Sequence, residues 1–554
     1  MKQGRTLRLR MPFVAMIVAI SASSWGGAAN AREFSLGEDW KLNLDNSLQQ
    51  SVGMRTQSRN PYIANNLTQS QGDYKFDRGD IITNRIQDLI EIQAVRGKDL
   101  GFRTTASLWY DFAYDDNAKT NPSSSAYGAI NAYPSGKYGN YGKRFFLYGG
   151  ELLDAFAFAN TEIAGMPTYL KLGRFSQQWG TAFFFGFPSI AYSQHPVDFI
   201  KGFSQPGSEV KELFLPRTQA MLTVALSSEL SVSGQYFFEF RPNRYPEGGT
   251  YFGFVDFLFN GTGPGALGAY GFTQNDGMVL PGTKISRDDS FYVHNDFGVR
   301  VAWSPSWAGA DMGFYFRQFD EVDPWLLLIN PRTGALQDTF AQHAKLVGFS
   351  LQKTFGVVST ALEVNARFNT ALNSVTLVPS DKGATGSLTN AIANTMIQLG
   401  TSPLWNTGVL IAEVAYTHLN AITGNKSLYN DKCSWTLGCS TDDAVAASVM
   451  FVPQWQQVFP GFDFEMPMSL TTGLHGNPAY RAGTNYGQGS YVYSVGLKTT
   501  YHSRHSASLA YNGYHWRPGP VADNGIGQLA YDGGNGPVGV NDRGWVQLQL
   551  KTSF

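Results

Sequence analysis

The last nine residues, Val546-Gln547-Leu548-Gln549-Leu550-Lys551-Thr552-Ser553-Phe554, decide how this chain is read. Val546, Leu548, Leu550, Thr552 and Phe554 share one face, while Gln547, Gln549, Lys551 and Ser553 share the other. A period of two is that of a β-strand. This strand runs to a terminal aromatic with no tail. A soluble sheet gains nothing from a phenylalanine at the exposed end of its last strand, so the face carrying it is expected to meet something other than water.

The opposite end sets the compartment. Lys2, Arg5, Arg8 and Arg10 form a basic region, Met11 to Ile20 is apolar, and Ala29-Asn30-Ala31 supplies small residues for cleavage. This is the layout of a secretory signal peptide over residues 1–31, with an apolar run too short to span a bilayer. Set beside an export signal, the carboxy-terminal strand resembles the closing strand of bacterial outer-membrane barrels, whose terminal Phe belongs to the assembly signal.

Composition agrees. Among 554 residues only 15% are charged and 14% are aromatic, with 60 glycines, against roughly 25% charged in ordinary soluble domains. Beyond the first 30 residues no apolar run reaches the ~18 residues of a membrane helix. The formal net charge of −1 includes no basic block, which argues against a nucleic-acid partner.

Between the ends the alternation recurs. Phe102, Thr104, Ala106, Leu108 and Tyr110 oppose Arg103, Thr105, Ser107, Trp109 and Asp111. Val358, Leu362, Val364 and Phe368 oppose Glu363, Asn365 and Arg367. Leu410, Ala412, Val414 and Tyr416 oppose Glu413 and Thr417, and Tyr491, Tyr493, Val495 and Leu497 oppose Ser494 and Lys498. The apolar faces end in aromatics, as suits an apolar band ~25 Å tall with aromatic girdles. Backbone in lipid has no water partner, so such a sheet must close. Short turns such as Arg96–Asp99, Ala164–Pro167 and the Phe355-Gly356 corner alternate with nine long connections near 56–80, 116–148, 181–216, 244–293, 322–341, 372–390, 421–443, 477–489 and 518–543. Residues 32–554 are therefore expected to form a single transmembrane antiparallel β-barrel, all-β, of about 18 strands. Sixteen is the alternative, because the segment from Ile392 to Gly400 alternates weakly.

Leu172-Gly173-Arg174, Trp179-Gly180, Pro196-Val197-Asp198, Pro206-Gly207-Ser208-Glu209 and Lys211-Glu212 follow one another within about 40 residues. Asn84-Arg85 precedes them; Glu363 with Arg367, Glu413 to His418 and the Leu550–Phe554 ending follow. In this order the fragments resemble the DUF1302 family of proteobacterial exported proteins across almost the whole mature chain. The resemblance implies an outer-membrane protein of unassigned function that handles hydrophobic compounds beside periplasmic or inner-membrane export partners. It supplies no catalytic residue.

The connection 181–216 is too apolar to face water. It contains Phe183, Phe184, Phe185 and Phe187, then Ile190, Phe199 and Phe203. It is expected to fold into the lumen, either as a substrate constriction or as a plug that only stabilises the barrel. Asp198, Lys201, Glu209, Lys211 and Glu212 could tie it to the wall. Arg85, Glu91, Arg103, Asp111, Glu239, Arg241, Glu363, Arg367, Glu413 and Lys498 fall on expected lumen positions. Their mixed signs suit either salt-bridged bracing or a selectivity lining. Cys433 and Cys439, the only cysteines, stand C-x5-C in a polar loop, where an exported protein would close a disulfide.

Enzymatic patterns do not assemble. Gly263, Gly265 and Gly268 spell a dinucleotide motif but lack the following helix that the motif requires. No metal, cofactor or catalytic set is expected. The residues favour a passive conduit for a hydrophobic or amphipathic small molecule, set among outer-membrane lipid and lipopolysaccharide. The alternatives are a plugged structural or assembly barrel and a general porin.

Overall fold

The computed structural model describes residues 32–37, 39–67, 69–119, 136–204, 210–253, 255–256, 295–332, 336–431, 438–480 and 487–554. The expected signal peptide, 1–31, lies outside them. The first half of the wall comprises β1 (Trp40–Arg55), β2 (Ile81–Arg96), β3 (Leu100–Asp111), β4 (Tyr148–Ile163), β5 (Met166–Phe175), β6 (Arg217–Ala225), β7 (Leu230–Phe237), β8 (Phe297–Trp303) and β9 (Asp311–Phe319). The second half comprises β10 (Ala344–Phe355), β11 (Val358–Ala371), β12 (Thr385–Leu399), β13 (Thr407–Gly424), β14 (Asp443–Phe459), β15 (Phe462–Glu465, continued by Met468–His475), β16 (Tyr491–Tyr501), β17 (His505–His515) and β18 (Trp545–Ser553).

Each strand pairs antiparallel with the next, and β18 returns to β1 with Ser553 opposite Ser47 and Trp545 opposite Arg55. The sheet is closed at 18 strands. A short strand, Arg32–Leu36, pairs with the Trp40–Leu44 part of β1 and extends the edge that β18 fills. Phe554 joins the seam, its amide donating to the carbonyl of Asn46 at 2.8 Å. All nine expected long connections are present at one end of the barrel, and short turns join the strands at the other. The tight corner Ala164-Gly165 places both residues at positive φ, 52° and 74°, where the glycine costs least.

The weakly alternating segment is a full strand, and the sixteen-strand alternative falls. β12 presents Ser387, Thr389, Ala391, Ala393 and Thr395 outward, too small and polar to read as an apolar face, while Leu388, Asn390, Ile392 and Asn394 are buried inside. Residues 385–390, expected as loop, belong to this strand.

Burial is inverted relative to a soluble protein. Across β16, β17, β18 and β1 the row Leu497, Leu509, Leu548 and Val52 is in register on the outer face, and the three leucines are exposed. Inside, Arg317, Glu363, Arg367, Asn390 and Glu413 are buried. Apolar outside and polar inside is the signature of an outer-membrane barrel. Several long connections share a core of their own, in which Phe76, Tyr114, Phe146, Tyr245, Tyr251, Trp516 and Val538 pack together.

Candidate functional site

The connection between β5 and β6, residues 176–216, crosses the lumen and is held by its backbone. Glu413 of β13 accepts three consecutive amides, from Phe183 at 2.6 Å, Phe184 at 2.8 Å and Phe185 at 2.7 Å. Glu363 of β11 accepts the amides of Thr181, at 2.8 Å, and Ile190. Carbonyls are taken as well. Asn394 of β12 donates to Thr181 O at 2.8 Å, Asn365 of β11 to Pro188 O at 2.7 Å, and Arg317 of β9 to Ile190 O and Tyr192 O at 2.8 and 2.6 Å. A loop in the middle of a barrel has no strand to satisfy its peptide groups, and each one left unpaired costs about 1–3 kcal/mol. The wall supplies what a neighbouring strand would.

The other end of the loop is tied to the opposite wall. Gln87 of β2 donates to Glu212. Asp198 pairs with Arg244 at 2.5 Å, and Arg244 and Arg241 both pair with Glu151 of β4. Gly180 makes the entry possible. Its φ is +87°, and a Cβ there would press on the Glu363 carboxylate.

The sequence-predicted aromatic residues divide into two groups. Phe183, Phe184, Phe185, Phe187 and Phe199 line a cavity of about 350 Å³ between the loop and the small residues Ala415 and Ala446 of β13 and β14. Phe187 stacks on Tyr480 with ring centres 5.9 Å apart and planes within 10°. Phe183 is 49% exposed, whereas Phe185 is buried. Ile190 is instead packed with Trp179 and Tyr315, and Phe203 lies against the loop core beside Phe252 and Tyr514.

The lumen charges form neither a single bracing ladder nor a ring. Four of them are in ion pairs: Glu91 with Arg103 at 2.8 Å, Lys498 with Glu465 at 3.0 Å, and Arg241 with Glu151. Arg85 donates to Phe145 O at 3.0 Å and lies over the Trp109 ring. Asp111 accepts from Thr83 Oγ1 and the amides of Asn84 and Ala113. Glu239, just beyond β7, accepts from Thr218. Arg367 lies 4.4 Å over the Tyr192 ring and 5.5 Å from the centre of Tyr480. Glu363 and Glu413 serve the loop backbone. Both stand where the loop crosses the lumen, so its peptide amides complete their carboxylates where a cation would otherwise be needed.

Of the expected tethers, Asp198 and Glu212 engage as described; Glu209 and the side chain of Lys211 lie outside the described residues. So does Cys433. Cys439 O accepts from Asn477 Nδ2 at 2.5 Å, and the expected pairing with Cys433 stays an expectation. Arg317 and Asn394 were not singled out in the sequence, although their inward parity was available there, and Asn365 was placed on the polar face without a role.

A family model described as a protein of unknown function, DUF1302, matches residues 12–554. The chain belongs to the DUF1302 family. No curated protein matches this DUF1302 sequence. In fold it is similar to OccAB3 of Acinetobacter baumannii, at 9% identity and a TM-score of 0.41, covering 93% of this chain and 99% of that one. OpdK of Pseudomonas aeruginosa, solved with vanillate, gives 8% identity and 0.41 over 93% and 98%. OccD3 of the same organism gives 12% and 0.41 over 95% and 94%. Likenesses at this level say nothing of what the DUF1302 chain carries; its outer-membrane location rests on the closed sheet and lipid-facing exterior.

Proposed function

We propose that this barrel is a passive conduit for hydrophobic or amphipathic small molecules, with the loop cavity as its capture point. One observation carries the reading: a largely apolar cavity of about 350 Å³ to which six phenylalanines contribute, within the ~300–1,000 Å³ range of small-molecule sites. Core packing alone would have filled such a space. Because Glu363, Glu413 and Arg317 hold the loop backbone, opening is assigned to side-chain movement, with half-exposed Phe183 the first candidate, rather than to a swing of the whole loop.

The same clamp favours a second reading, a plugged barrel that anchors an envelope assembly. Planar-bilayer conductance combined with extraction of co-purified ligands separates the two. A conduit shows little ion conductance, yields an apolar ligand, and slows growth on apolar compounds when deleted. A plug yields no ligand, and deleting Phe183–Phe187 lowers heat stability while leaving flux unchanged. Stable conductance steps that admit small sugars would indicate a general porin.

A further inference from the structure

The cavity's polar lining is almost entirely used up by the protein itself. Gln178 donates to Ala182 O, Ser189 to Gly186 O and Thr417 to Asn390, while Ser193 and Asn243 accept backbone amides. The two tyrosine hydroxyls are directed to Glu321 and Thr417. His195 is the exception. It is 8% exposed, it lines the cavity, and both ring nitrogens are buried with no hydrogen-bond partner on another residue. An imidazole left unpaired in an apolar site is costly unless something completes it.

Two further features define what would complete it. No charged side chain lines the cavity among the described residues. Flat faces bound it: His195 stacks on Phe214 with ring centres 3.8 Å apart, and Phe187 on Tyr480. Burial, reinforced by Arg317 and Arg217, pushes the His195 imidazole down to about 3, so at neutral pH it offers one donor and one acceptor without charge. As the ring stands both nitrogens are closed off; a half-turn exchanges nitrogens and carbons within the same outline, and that turn is the movement that reading a ligand requires.

We propose that the cavity takes an uncharged, flat aromatic molecule bearing one hydrogen-bonding substituent, which His195 reads. This rests on the cavity being a ligand site, as argued above. The test uses full-length protein in detergent with three probes: 2-naphthol, naphthalene and 2-naphthoate. Affinities are compared between wild type and H195F, so that partition into the micelle cancels; H195Q, which keeps a donor and an acceptor, is the rescue. The expected loss in H195F is about tenfold for 2-naphthol, the worth of one hydrogen bond, and none for naphthalene, with H195Q recovering most of the difference. Equal affinities for 2-naphthol in wild type and H195F overturn the proposal, as does 2-naphthoate binding best. Should none of the probes bind wild type, the conduit reading falls with it. Should 2-naphthol bind wild type and H195F equally well, the cavity is still a ligand site and only the present inference falls. Unchanged heat-modified mobility on gels shows that each variant is folded.

Discussion

The carboxylate of Glu413 accepts the amide of Phe184 at 2.8 Å, and the same group takes the amides on either side of it. One wall residue thereby fixes the most apolar turn of the chain. Replacing it with alanine leaves one buried amide, that of Phe185, and two half-buried ones without this partner, at up to about 1–3 kcal/mol each before relaxation. E413A is expected to lower the urea midpoint in detergent and to open the bond after Phe184 to chymotrypsin, while the barrel still inserts. Unchanged proteolysis would show that the loop holds itself.

Gly180 and Glu363 form a second dependence. Alanine at 180 carries both the strain of φ +87° and a methyl pressed on the carboxylate. G180A is expected to destabilise by about 1–3 kcal/mol, and G180A combined with E363A by less than the sum of the two single changes. A double-mutant cycle read by denaturation checks this; strict additivity would mean the two residues do not interact.

Lipid contact makes a prediction at Leu509, which lies between Leu497 and Leu548 on the outer face. L509R is expected to cost about 2–4 kcal/mol in bilayers, whereas S107K, pointing inward, is judged by lumen packing instead. Reversible folding into vesicles measures the first. A negligible cost would place something other than lipid against this row.

Glu321 sits just beyond β9, accepting from Tyr192, Thr370 and the amide of Ala371. Burial pushes its carboxyl up to about 7, against the pull of nearby Arg367. The sign follows from linkage. The folded group holds its proton to higher pH than the unfolded one, ordinarily near 4.3. Between about pH 4.5 and 7 the native state therefore binds more protons, and stability falls as pH rises. E321Q is expected to flatten that part of the stability profile; an identical slope in the variant would assign it to other groups.

What could be read in advance was whatever repeats along the chain. The alternation at 102–111, the aromatic strand ends and the Phe554 terminus located the membrane face, and the rhythm of turns located all nine long connections. β12 escaped a firm reading because Ser387, Thr389 and Ala391 present a small outer face. Parity also put Glu363 and Glu413 inside, but not their partners. The amides they hold lie 182 and 230 positions earlier, and a backbone partner leaves no trace in the sequence. Arg317 was masked by the aromatic run Phe314–Phe319, and His195 by its proline-rich surroundings.

The same separation has a consequence for biogenesis. Phe183-Phe184-Phe185 leaves the export channel long before Glu363 and Glu413, and the cylinder cannot shut until Trp545–Ser553 meets Trp40–Arg55. For that interval three adjacent phenyl rings have neither the wall carboxylates nor a closed lumen around them, so this segment is expected to find its resting place only late in assembly.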